Sequence, residues 1–386
     1  PDFGRKQKLA EIHQALIRDP VDIETLRRAA ASKGGLLTDE LRRKVWPKLL
    51  NINVYDLPHK PGRDVRENHK DYNQVVLDVR RSMKRFPKGM PATERAVLQE
   101  QLIDIILEVL KHNPQLHYYQ GYHDVAVSLL LVVGERMAIA MLDTLSNYHL
   151  RDFMDPTMDS TKHILNYLMP ILEQVDMELH DFMMIRSEVG TIFALSWLIT
   201  WYGHVLSEFR HTLRLYDFFL ASHPLMPIYL AATIVLHREK EVKQTECDMA
   251  MVHHLLSRIP QDLPYEHLIS QAQDLFDQYP PSLLAKRAAL QSRKSLTIST
   301  FQAFQLSTLH QRPDSVLQRL TKGQSSTTSR HGLEAALPPD RGRLWGKGNK
   351  MVKMAVWGLS ATLGAAVFAV AQTAMDWGPE VLLQLF

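Results

Sequence analysis

A single cysteine, Cys247, stands in a chain of 386 residues, so no intrachain disulfide can form. No Asn-x-Ser/Thr glycosylation acceptor occurs either. Both absences fit a body facing a reducing, cytosolic compartment. The motifs that mark several common site chemistries are also missing. Without a G-x-x-x-x-G-K-[ST] loop the chain is not expected to bind nucleotide through a P-loop. It has no H-E-x-x-H, no paired C-x-x-C and no EF-hand loop, which removes the common zinc and calcium frameworks. It has no G-x-S-x-G elbow. His112, His117, His123 and the pair His253-His254 lack acidic or cysteine partners at metal spacing, so no metal is expected. Asp155 and Asp159 sit in a DPTMDST context that reads as turn and helix cap rather than catalysis.

Strand signals are absent too. There is no alternating ladder and no helix–strand rhythm, and no internal repeat. What is present is apolar spacing at three and four residues, in LAEIHQALI, LRRKVWPKLL, VVLDVRRSM, LQEQLIDIILEVLKH, ILNYLMPILEQV and EVGTIFALSWLITWY. Punctuation separates these runs at Asp19-Pro20, Gly34-Gly35, Pro87-Lys88-Gly89, Asn113-Pro114, Asp155-Pro156 and Pro280-Pro281. Thr38-Asp39-Glu40 and Asp159-Ser160-Thr161 read as helix N-caps. The expected fold is all-α. With 45% hydrophobic residues the chain has ample material for a large core.

Two apolar runs need separate accounts. Residues 218–236 carry no Asp, Glu, Lys or Arg but contain His223-Pro224 and Pro227. Proline interrupts a continuous helix. The expectation is a helix ending near Ala221, a turn, and a buried helix from about Met226 to Arg238. Residues 354–375, MAVWGLSATLGAAVFAVAQTAM, are 22 residues without a charge. A helix of that length matches the roughly 30 Å hydrocarbon core of a bilayer. Lys347, Lys350 and Lys353 precede it and Asp376 and Glu380 follow, which places the N-terminal side in the cytosol. A transmembrane tail anchor is the expectation there. Trp345, Trp357 and Trp377 mark candidate headgroup levels, and Ser360, Ala361, Gly364 and Ala365 permit helix pairing.

The net charge of +3 conceals an asymmetry. Between residues 281 and 353, thirteen Lys or Arg stand against three Asp or Glu, while the preceding body is mildly acidic. A basic stretch before an apolar run points to an anionic membrane surface before it points to nucleic acid. The division expected is an N-terminal helical segment at 1–33, a helical domain at 34–280, a basic and partly disordered linker at 281–353, the span at 354–375, and a short lumenal tail at 376–386. Residues 283–320 are expected to be partly helical. The chain opens on Pro1 rather than Met, so a native N-terminus upstream is expected.

Two short motifs about forty residues apart carry the functional reading. The first is Val75-x-x-Asp78-x-x-Arg81 in YNQVVLDVRRSMKRFP. Residues i and i+3 share a helix face, and by spacing alone a surface ion pair is the commoner outcome. Arg80, Lys84 and Arg85 make this helix strongly cationic, and Phe86-Pro87 ends it at a fixed turn. A rigid helix presenting Arg81, with Asp78 to orient it, suits a phosphoryl group, whose oxygens match the planar guanidinium fork. The second is Tyr118-x-Gln120 in HNPQLHYYQGYHD. Asn113-Pro114 and Gly121 bracket a loop in which the aromatics anchor and Gln120 faces outward. Taken alone, tyrosine-rich turns are commonly packing elements. An arginine that neutralises phosphoryl charge and a glutamine that orients water are the two groups that accelerate GTP hydrolysis.

Together these motifs resemble the TBC (Tre-2/Bub2/Cdc16) domain of Rab GTPase-activating proteins, with its I-x-x-D-x-x-R and Y-x-Q finger motifs. The block running from Gly35 to Trp46, Trp197 in LSWLITWY, and Arg214-Leu215-Tyr216-Asp217-Phe218-Phe219 resemble further family blocks in the same order. The resemblance covers roughly residues 34–280. Val75 replaces the usual Ile, Ser82 the usual Thr, Tyr122-His123 the usual Met-Asn, and Tyr216 the usual Trp. None of these removes Arg81 or Gln120.

The resemblance implies two helical subdomains that activate a Rab in its GTP form. Arg81 and Gln120 would act catalytically in trans, supported by Asp78, Tyr118 and Gly121. GTP and Mg²⁺ would be bound by the Rab, leaving this chain without a cofactor of its own. The words LRDFMDPTMD, TKHILNYLMPI and HPLMPIY resemble a membrane-anchored branch of the family. That branch implies the endoplasmic reticulum, a Rab of ER-to-Golgi traffic, and other ER membrane proteins as partners. Two rival readings are a non-catalytic, membrane-anchored Rab-binding adaptor and a lipid-binding scaffold acting through residues 281–353.

Overall fold

The computed structural model describes residues 2–82, 86–290 and 294–328, and among them there is no β-strand. The expected anchor at 354–375 and tail at 376–386 lie outside the described residues. Among the described residues no helix is long and apolar enough to cross a membrane.

Nineteen α-helices follow one another in the described residues. The first seven are α1 (Asp2–Ile17), α2 (Ile23–Ala31), α3 (Asp39–Leu49), α4 (Tyr72–Arg81), α5 (Ala92–His112), α6 (Tyr122–Val133) and α7 (Glu135–Asn147). Then come α8 (Asp159–Leu165), α9 (Leu168–Val175), α10 (Met177–Asp181), α11 (Leu195–Ile199), α12 (Phe209–Leu220) and α13 (Met226–His237). The last six are α14 (Glu239–Gln244), α15 (Met249–Ser257), α16 (Tyr265–Gln278), α17 (Pro281–Arg287), α18 (Leu296–Ser307) and α19 (Asp314–Thr328).

Two helices apolar on nearly every side form the centres of packing. α6, VAVSLLLVV after its first turn, is buried almost throughout and packs on α3, α4, α5 and α7. α13 is the buried helix expected after the His223-Pro224 break, and it packs on α9, α11 and α16. α12 ends at Leu220 and Pro227 sits in the first turn of α13, where its missing N–H costs no helical bond. The Thr38 cap forms, with its hydroxyl accepting from Leu41 N at 3.3 Å. The expected cap at 159–161 does not. α8 starts after Met158 with no side-chain cap bond, because Ser160 Oγ donates to Asp155 Oδ2 instead, at 2.5 Å.

Asp217 on α12 is completely buried and fastens that helix to α3, which packs on α6. Its carboxylate accepts from Leu36 N at 3.0 Å, from Arg42 Nε and Nη2 at 3.0 Å each, and from Trp46 Nε1 at 2.8 Å. Burial works against the Arg42 charge, but Asp217 and Asp39 more than offset it, so the guanidinium pKa is raised. Gly35 lies against this carboxylate, and a Cβ there would come within 2.5 Å of Asp217 Oδ2. One turn back, Arg214 donates to Glu266 and to the carbonyls of Ala30, Ala31 and Ser32, which closes the C-terminal end of α2.

The packed body continues past residue 280. Thr297 and Ser295, at the start of α18, bond Asp152, and the rings of Phe304 and Tyr148 lie 4.5 Å apart with their planes tilted by 31°. Arg27 donates to Thr308 Oγ1 at 2.6 Å, Gln311 Nε2 donates to Lys48 O at 2.6 Å, and buried Lys48 pairs with Asp314 at 2.8 Å. The Ser, Thr and Gln content that reads as linker in sequence here satisfies polar groups of the body.

Asp217→Ala leaves buried Arg42 with only the part-exposed Asp39 as counter-charge and orphans the Leu36 and Trp46 N–H groups. We expect a loss of about 3–5 kcal/mol in denaturant-unfolding stability, the range for breaking a buried ion pair. A second expectation concerns pH. Burial, helped by neighbouring His223, lowers the pKa of His149 to about 3, and burial lowers His223 to about 4, from an ordinary 6.5. Between these values the unfolded chain binds the protons the folded chain refuses. This part of the stability is therefore complete above about pH 6.5 and declines as pH falls toward 4. Urea midpoints at pH 5 and pH 7 measure it, with the lower midpoint at pH 5.

Candidate functional site

Both finger motifs project from the α6-centred bundle. α4 packs on α5 and α6, and its apolar stripe of Val75, Val76 and Val79 faces the core. Arg81 is the last residue of α4 and is exposed, and Ser82 closes the helix by donating its hydroxyl to Val79 O at 2.6 Å.

Asp78 points the other way and is 1% exposed. Its Oδ1 accepts from Gln74 Nε2 at 3.0 Å and its Oδ2 accepts from the Tyr118 hydroxyl at 2.6 Å. The expected direct orientation of Arg81 by Asp78 is not the contact the structure makes. Asp78 instead joins the α4 motif to the Tyr118 motif. Desolvation first, and the Asp78 carboxylate second, push the Tyr118 phenol well above 10, so it remains protonated and donates. Gln74 was not singled out from sequence, although its place four residues before Asp78 is a helical Gln–Asp pairing distance.

The loop at 113–121 is fastened along its length. Asn113 Nδ2 donates to Val109 O at 2.8 Å and Asp143 Oδ1 at 2.6 Å. His117 N donates to Met154 O at 2.8 Å. Tyr119 OH donates to Ile199 O at 2.8 Å, and the Tyr122 hydroxyl bonds Ser146 Oγ at 2.5 Å. The rings of Tyr118 and Tyr119 meet Tyr122 edge-on at 6.0 and 5.5 Å. Gln120, half-buried, immediately precedes Gly121, which adopts φ 106° and opens α6. A side chain at that φ would be strained, so glycine is what allows the chain to turn from the loop into α6.

The arrangement thus places an exposed arginine one helical turn beyond Asp78 and a glutamine two residues beyond Tyr118, with those two supports bonded together. It can offer a guanidinium and a carboxamide to a reaction on another molecule. Among the described residues no group of His, Cys, Asp or Glu is arranged to hold a metal.

Residues 39–243 match the Rab-GTPase-TBC domain. The chain belongs to that family of Rab GTPase-activating proteins. It is 62% identical to TBC1 domain family member 20 of Homo sapiens over 388 residues, covering 100% of this chain and 94% of that protein. It is 34% identical to GTPase-activating protein gyp10 of Schizosaccharomyces pombe, over 68% of this chain and 70% of that one. In fold it is similar to the crystal structure of the Ypt/Rab-GAP domain of Gyp1p, with a TM-score of 0.57 at 16% identity, covering 71% of this chain and 98% of that one.

Tyr118→Phe keeps the ring packing but removes one donor from buried Asp78. We expect about 1–3 kcal/mol lower stability, the cost of an unsatisfied buried acceptor, read from denaturant unfolding.

Proposed function

We propose that this chain activates a Rab GTPase by supplying Arg81 and Gln120 together to the Rab's nucleotide site. Arg81 stabilises the charge developing on the γ-phosphoryl oxygens, and Gln120 holds the attacking water. Asp78 and Tyr118 act as the tie between the two fingers, and Gly121 sets the turn behind Gln120. The observation that carries this reading is the 2.6 Å hydrogen bond from Tyr118 to Asp78, which gives the two motifs a fixed relation before any partner arrives. Nucleotide and Mg²⁺ belong to the Rab, so the chain uses no cofactor of its own. The exposed end of α4 supports docking of a partner there, since a finger has to leave its own protein to act.

The uncharged run at 354–375, with lysines before it and acids after it, supports a tail anchor that keeps the body on the cytosolic side of a membrane. The similarity to TBC1 domain family member 20, together with the sequence words shared with the anchored branch, supports the endoplasmic reticulum as that membrane. A Rab of ER-to-Golgi traffic is then the substrate.

The test is GTP hydrolysis across a panel of Rabs with substoichiometric amounts of the chain, wild type beside Arg81→Ala, Arg81→Lys and Gln120→Ala. Strong stimulation of a few Rabs should fall by about 10³-fold or more in Arg81→Ala, within the range for arginine fingers supplied in trans. Arg81→Lys should not rescue it, because an ammonium lacks the bidentate fork. Near-full activity in Arg81→Lys would sink the finger assignment. Saturable Rab binding without turnover would make the chain an adaptor.

A further inference from the structure

The loop carrying Gln120 leans on a turn that none of the finger motifs includes. This turn closes α11. Trp201 N donates to Leu198 O at 3.3 Å and Tyr202 N to Trp197 O at 2.7 Å, a helix ending whose left-handed position is usually filled by glycine. Here Trp201 occupies it at φ 47°, and Tyr202 follows at φ 65°. Bulky side chains hold such a conformation only where the surroundings over-determine it. They do so here. Trp201 packs edge-on against Tyr216 at 5.3 Å and Phe219 at 5.5 Å, and the Tyr202 hydroxyl donates to Pro227 O at 2.7 Å. The turn is therefore anchored on α12 through its aromatic rings and on α13 through Pro227.

Its other side meets the finger loop once and the first turn of α6 once. Tyr119 OH donates to Ile199 O at 2.8 Å. His204 Nδ1 lies 3.6 Å from Asp124 Oδ2, and Asp124 is buried in the first turn of α6 with His123 Nε2 at 3.8 Å. One contact falls on the residue before Gln120 and the other on the residue four after it, so the two straddle the glutamine. Strained backbone tends to cluster where a site needs fixed geometry.

We propose that the turn at residues 199–204 is the positioning platform of the glutamine finger, with Tyr119 and His204 as its positioning residues. The proposal rests on the reading in which Gln120 holds the hydrolytic water. A carboxamide that orients water tolerates little displacement, and a misplacement of about 1 Å can cost about 10²-fold in rate. The platform ties Gln120 to α12 and α13, while Arg81 stays tied to the α4–α6 bundle. The two fingers then have separate supports besides their shared Asp78–Tyr118 bond.

The test uses the full chain with a responsive GTP-loaded Rab in single-turnover hydrolysis. Tyr119→Phe and His204→Gln are measured alone and combined with Gln120→Ala or with Arg81→Ala, with thermal melts of every variant. Each single change should lower the maximal rate by about tenfold, within the cost of a sub-ångström displacement, at unchanged half-saturating concentration of Rab. The loss should vanish on the Gln120→Ala background and persist on the Arg81→Ala background. A merely structural role would lower the rate equally on both backgrounds, and that result overturns the platform. So does an unchanged rate in both single variants while Gln120→Ala remains defective. If Gln120→Ala is itself fully active, the finger reading fails and the platform falls with it.

Discussion

One buried carboxylate holds α12 in register with α3 and, through α3, with the α6 bundle. Asp217 reaches from α12 into the start of the α3 region, where it takes four hydrogen bonds from a backbone amide, a guanidinium and an indole. A charge removed from water costs several kcal/mol unless it is paired and its lone pairs are filled. Here both conditions hold at once, and the geometry that satisfies them leaves no freedom. Gly35 is required because a Cβ would overlap the carboxylate, and Arg214 on the same helix closes α2 from the other side. Hydrophobic packing of α6 and α13 supplies the bulk of the driving force, but it is non-directional. The bonds of the ionic node are directional, and they set how α12 sits against α3.

The same device recurs at the site. Asp78 is buried on the inner face of a helix whose other face is solvated, and it is filled by Gln74 and Tyr118 rather than by the arginine one turn on. Burying the acid this way keeps it from neutralising Arg81. An arginine locked in an internal ion pair would have to break that pair before serving a phosphate. With Asp78 engaged by Gln74 and Tyr118, Arg81 stands exposed at the end of α4, and the aspartate is the tie between the two motifs.

Much of this was legible in the residues themselves, where local chemistry decides the outcome. The break between α12 and α13 follows from His223-Pro224 and Pro227, since proline fixes φ and lacks a donor. Thr38 caps α3 because its hydroxyl needs only the amide three residues on. Where a polar side chain has a distant competitor, local reading stops. Ser160 abandons the expected cap for Asp155, and Ser295 and Thr297 dock on Asp152 more than 140 residues away. The segment after residue 280 therefore looks like linker in composition and behaves as body through α18. The i, i+3 spacing of Asp78 and Arg81 was visible, but spacing carries no information about which of the pair is buried.

The strained turn after α11 gives the site its second fixed point, and it illustrates how rigidity is obtained without regular structure. Nothing in TWYGH announces a left-handed tryptophan, because the conformation is imposed by Tyr216, Phe219 and Pro227 rather than preferred by the residues. Loops that present catalytic groups must be exposed, yet the groups must not wander. A turn held in an unfavourable conformation by packing from behind meets both demands, since any relaxation would have to displace buried aromatic rings. Gln120 sits in sequence between the two points this turn reaches, Tyr119 in the loop and Asp124 in the first turn of α6, and Tyr118 fixes the same loop to α4. The glutamine is thus referenced both to the α4–α6 bundle and to α12 and α13, and α12 is itself referenced to α3 through Asp217.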